Sequence, residues 1–195
     1  MDTGLKKLFV PSDKFISVLS PEKSDITTIY SIYDALELYP DQSEKGLAKY
    51  SDLLLTGILN STYHLIESHF DERGYNMHQK YSREWSCIIY ETIHNSLDHG
   101  PKENPFTMAT FLGPLGIGFG FYDGGKFYKL ASTKKDFEND SPIPSNSFPS
   151  PRNIGVSGGN CGLDEVRKFA SFLEIDIEKG VLYCAVSKND LFVDF

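Results

Sequence analysis

The sequence predicts an α+β protein, a two-layer sandwich with helices on one face of a mixed, mainly antiparallel sheet, plus N-terminal helices. Two patterns carry that expectation: apolar residues recur at helical spacing through much of the first half, and the second half holds β-prone runs separated by glycine turns. A third observation is size, since 195 residues with 40% hydrophobic side chains allow one substantial core and hardly two.

Taken in order, residues 5–19, "LKKLFVPSDKFISVL", contain two short β-prone pieces around a Pro-Ser-Asp turn. Ser24 is placed to cap a helix from Asp25 to about Tyr39, in which Ile26, Ile29, Tyr33 and Leu36 recur at helical spacing before Pro40 ends it. A longer helical pattern runs from about Ser43 to Arg73, with Leu47, Leu54, Ile58 and Leu65 on one side and Gly74 as the stop. A third helix carries "REWSCIIYETIHNSLDHG" and ends near Gly100 and Pro101. "FTMATFLGPLGIGFGFYDGG" is β-prone, residues 131–153 are rich in Ser and Pro, and "SGGNCGLDEVRKFASFLEI" reads as a glycine loop opening a helix. "IDIEKGVLYCAVS" closes as two strands about a Lys179-Gly180 turn.

Composition excludes several classes of function. A formal net charge of −8 argues against a phosphate-binding surface for nucleic acid, which needs clustered Lys and Arg. The apolar run from Phe111 to Tyr122 is broken by Gly and Pro and falls short of the roughly 20 residues that span a bilayer. No apolar signal core follows the N-terminal lysines, so the expected location is cytoplasmic, without a membrane partner. Cys87, Cys161 and Cys184 show no metal spacing and are expected as reduced thiols, and the five histidines never fall at HxxxH spacing.

Three constellations carry chemistry. On a helix turning about 100° per residue, Glu91, Asn95, Asp98 and His99 fall within an arc of roughly 100°, while Ile89, Ile93 and Leu97 face away. Either this is the solvated face of an amphipathic helix, or the carboxylate and carboxamide one turn apart serve a partner such as Mg²⁺ with water or phosphate. Asp123 ends a β-prone run and precedes Gly124 and Gly125, which suits a hairpin turn or a carboxylate that accepts from an amine. Before it, Gly116, Gly118 and Gly120 share one strand face, so a ligand or a closely packed helix must approach that face. Finally, Gly158, Gly159 and Gly162 precede a helix with Val166, Phe169 and Leu173 at helical spacing, an arrangement that offers backbone N–H groups to an anion.

These three, in this order, resemble the histidine-kinase-like (GHKL) ATPases, the group of gyrase, the mismatch-repair ATPases, the large heat-shock chaperones and the histidine and anti-sigma kinases. The resemblance covers about residues 80–187 and is closest in motif to the small kinases that bind sigma regulators. It implies a Bergerat ATP-binding fold over residues 80–195 and a separate N-terminal strand and helical region over 1–79. It further implies ATP and Mg²⁺ as cofactors. Glu91 would be the base for the attacking water or hydroxyl and Asn95 the Mg²⁺ ligand, with Asp98 and His99 near the nucleotide. Asp123 and Gly125 match the D-x-G that reads adenine, although the next glycine of that motif is Phe127 here. Gly158, Gly162 and Leu163 match the last glycine box, Gly159 lies within it, and Asn160 replaces its middle glycine; Asn visits φ > 0 more readily than most residues. Residues 131–153 then read as the lid over the nucleotide.

The implied function is binding of Mg-ATP or Mg-ADP, with hydrolysis or transfer of the γ-phosphate to a protein partner in signalling. The alternative is a nucleotide-gated regulatory or chaperone-like module with little or no catalysis, acting on a partner protein or as a homodimer. A self-contained histidine kinase would need an acceptor histidine, and His64 in "TYHLIES" is followed by Leu65 where an acid is usual.

Overall fold

The computed structural model describes residues 3–29, 38–72, 84–99, 106–122, 162–176 and 178–191. Two short helices come first, α1 (Thr3–Leu8) and α2 (Asp13–Leu19). Ser12 caps α2: its backbone is extended and its side chain accepts from the Phe15 N–H at 3.2 Å. Residues 5–8 and 13–19 are therefore helical where β-prone pieces were expected, and for α2 the Pro-Ser-Asp turn supplies the helix cap. Ser20 ends α2 in the left-handed conformation, φ 46° and ψ 58°, with its N–H on the Ile16 carbonyl at 2.7 Å.

The next segment overturns a second expectation. Residues Lys23–Ile29 form strand β1, not the start of a helix capped by Ser24. Ile26, Thr27, Thr28 and Ile29 are a β-branched run that suits a pleated ladder, and the whole strand pairs antiparallel with β2 (Phe106–Gly113). The proposed continuation through residues 30–37 lies outside the described residues.

The two long helices match the sequence reading. Helix α3 (Glu44–Asp71) starts at Ser43, whose side chain accepts from the Gly46 N–H at 3.1 Å. Leu55, Ile66 and Phe70 on α3 are fully buried, with Leu47, Leu54, Ile58 and Leu65 packed beside them. Helix α4 (Glu84–His99) buries Trp85, Ile88, Ile89 and Ile93, and Trp85 lies over Tyr63 of α3 with ring centroids 6.5 Å apart.

After α4 comes a tight hairpin, β2 with β3 (Gly116–Tyr122), then α5 (Gly162–Phe169), β4 (Phe172–Asp176), β5 (Val181–Ser187) and the short α6 (Lys188–Leu191). Helix α5 stops at Phe169, so Leu173 belongs to β4 and not to the helix. Between β4 and β5 the chain turns at Lys179 and Gly180 as expected; Gly180 has φ 68°, a left-handed conformation that glycine adopts without a side-chain clash. The five strands lie in the order β1-β2-β3-β5-β4, every described pairing being antiparallel.

Alternation along the strands gives the sheet two distinct faces. One carries Met108, Leu112, Ile117, Phe119, Phe121, Leu182, Cys184 and Val186, packed against α3, α4 and α5. Opposite them lie Ala109, Phe111, Val181, Tyr183 and Ala185, covered by Phe9, Phe15 and Leu19 from the N-terminal segment. The α+β class and the antiparallel sheet agree with expectation, but the helices cover both faces and not one. Residues before position 80 also supply the edge strand β1, so they share the sheet with the rest of the chain. Among the described residues no helix is long and apolar enough to cross a membrane.

Candidate functional site

The glycine face has a structural explanation. A Cβ built on Gly118 would come within 2.5 Å of Phe15 Cζ and still closer to the Leu19 side chain, and one on Gly120 within 2.8 Å of Phe9 Cδ1. Helix α2 and Phe9, the residue that follows α1, therefore occupy the space that the glycines leave. Phe15 completes the contact with its edge on Phe111, ring centroids 5.2 Å apart and planes at 76°. Between the two possible visitors to this face, a closely packed helix is what the structure contains.

The other face carries polar groups that core packing does not explain. Glu91 and Asn95 sit one turn apart on α4, both half-buried, between the covered side of the helix and solvent. The Asn95 amide nitrogen Nδ2 is buried and has no hydrogen-bond partner among the described residues. An amide N–H₂ removed from water without an acceptor costs about 1–3 kcal/mol, so the position invites an acceptor from outside these elements. Asp98 and His99 are the last two residues of the same helix.

A second row runs beside the first. The Tyr90 ring stacks on His94 with centroids 4.0 Å apart and planes 29° apart, His94 being 7% exposed and Tyr90 40%. Burial, and then the negative charges of Asp52 and Glu91, hold the Tyr90 phenol above its ordinary value. The sequence reading missed this pair; its signal was the i, i+4 spacing of an aromatic and a histidine directly beside the Glu91–Asn95 row. Nearby, Thr92 is buried and its hydroxyl donates back to the Ile88 carbonyl at 2.7 Å, which satisfies it within the helix.

Helix α5 packs against α4 and contributes the buried Val166 to the shared core. Gly162 opens α5 and Leu163 follows it, so the end of the last glycine box leads into a helix beside the Glu91–Asn95 helix. Gly158, Gly159 and Asn160 lie outside the described residues. So do Asp123 and Gly125, although β3 ends at Tyr122, immediately before Asp123. The segment 131–153 lies outside them as well.

The remaining candidates are ordinary. His64 is a surface side chain, 75% exposed, with Nδ1 3.5 Å from Glu67 Oε2. Cys184 is a fully buried thiol whose pKa burial pushes well above the usual value, so it stays protonated and inert. Among the described residues no group of three or more His, Cys, Asp or Glu is arranged to hold a metal ion. Compared with known proteins, the chain matches no family model, no curated protein and no solved structure.

Proposed function

We propose that the chain binds Mg-ATP over α4 and either hydrolyses it or passes its γ-phosphate to a protein partner in signalling. The observation that carries this reading is the half-buried Asn95, one turn after Glu91, whose amide nitrogen has no partner among the described residues, on a helix packed beside α5. Order along the chain supports it too: an E-x-x-x-N helix, a D-x-G directly after a strand end, and a glycine box leading into a helix. The residues fit the cofactor. Asn95 would offer its amide oxygen to Mg²⁺ and its amide N–H to a phosphate oxygen, which would satisfy the buried nitrogen. Magnesium held there would supply charge neutralisation for the phosphates, and one protein ligand suits its preference for few of them.

Each side chain would then have a distinct task. Glu91, one turn before Asn95, is placed to accept a proton from an attacking water or hydroxyl. Asp123, which follows Tyr122 in the sequence, would accept from the exocyclic amine of adenine and reject a base that lacks it, because its carboxylate would be left unpaired. The test is calorimetry with ATP and GTP, with and without Mg²⁺, on the parent and on Asn95→Ala. The expected result is Mg²⁺-dependent binding of ATP in preference to GTP, with Asn95→Ala losing the Mg²⁺-dependent part. Equal affinity for both nucleotides, or an Asn95→Ala protein that binds like the parent, would overturn the assignment.

A further inference from the structure

We draw no further inference here: the strongest candidate, the cleft of about 400 Å³ that Val10, Ser12, Glu174, Asp176, Glu178 and Tyr183 line beside the α1–α2 link, carries nothing, because it is an acidic cluster in which Ser12 already donates to Glu174, Lys179 pairs with Asp176 and Tyr183 reaches the Leu8 carbonyl, and nothing within it points to a ligand.

Discussion

The two faces of the sheet answer the same question in opposite ways. On the α2 face, the missing side chains of Gly118 and Gly120 are accounted for by Phe9, Phe15 and Leu19, so close approach there is a matter of packing. On the α4 face the apolar contacts are equally complete, yet Asn95 keeps a buried amide nitrogen without a partner among the described residues. An unusual residue pattern indicates a ligand only when the surrounding chain leaves its requirement unmet. The glycines fail that criterion, whereas the Asn95 amide nitrogen, unpartnered among the described residues, is what supports the proposed site.

Substitutions on each face test this contrast. The largest effect should come from Phe15→Ala, which removes a fully buried ring from the α2 face; urea unfolding should show a loss of about 3–5 kcal/mol. Nucleotide affinity of the remaining folded protein should be unchanged. Next is Glu91→Ala, expected to keep Mg-ATP bound while lowering turnover by roughly a hundredfold or more, the usual contribution of a general base. Turnover equal to the parent's would remove Glu91 from catalysis and leave only a binding site.

Gly118→Ala separates the two faces directly. Overpacking against Phe15 and Leu19 should cost about 1–3 kcal/mol in unfolding and leave nucleotide binding alone. The reverse outcome, intact stability with lost binding, would make the glycine face a ligand floor after all.

Tyr183, buried on the α2 face, donates to the Leu8 carbonyl at 3.5 Å. Burial, and then the charges of Asp176 and Glu174, hold its pKa far above the ordinary value, so the folded state retains a proton that the unfolded chain releases above about pH 10. Its contribution to stability is therefore complete below pH 10 and declines as pH rises beyond it, by up to about 1.4 kcal/mol per pH unit. Unfolding curves between pH 9 and 11 should show this slope, and Tyr183→Phe should flatten it.

The smallest effect belongs to Ser20. Its left-handed backbone is costly for a residue with a Cβ, so Ser20→Gly should stabilise the protein by about 0.5 kcal/mol once the extra entropy of glycine is counted. A decrease in the thermal midpoint would mean that the serine side chain supports the cap in some other way.

Most of the elements were legible where a single periodicity ran long enough. The 28 residues of α3 and the 16 of α4 declare a helix through their apolar spacing, and the glycine alternation of β3 declares a strand. The N-terminal quarter was not legible, for two physical reasons. Ile26 and Ile29 are three apart, which fits a helix, but the β-branched run between them pairs with a strand far away in sequence, and that pairing decides. In residues 5–19 the short pieces carry little local preference; α2 is held by the hole that Gly118 leaves and Phe9 by the one at Gly120, complements that only the folded sheet provides. At the site, the Glu91–Asn95 row could be read from spacing, whereas the Tyr90–His94 stack depends on burial, which α3 creates through contacts distant in sequence.

The pairing of β1 with β2 also sets the order in which the chain can assemble. Ile26 lies opposite Ala109, so this ladder closes a very long loop, while β2–β3 and β4–β5 are hairpins that close short ones. During synthesis the α1–α2–β1 segment leaves the ribosome before β2, β3 and β5, the strands it packs on, have been made. It must wait, with Phe9, Phe15 and Leu19 exposed, for the surface that will receive them. A fragment beginning near residue 80 would carry the opposite defect: helix α4 with Glu91 and Asn95 on one side, and on the other a sheet face with Phe111 and Tyr183 left to solvent and prone to association with other chains.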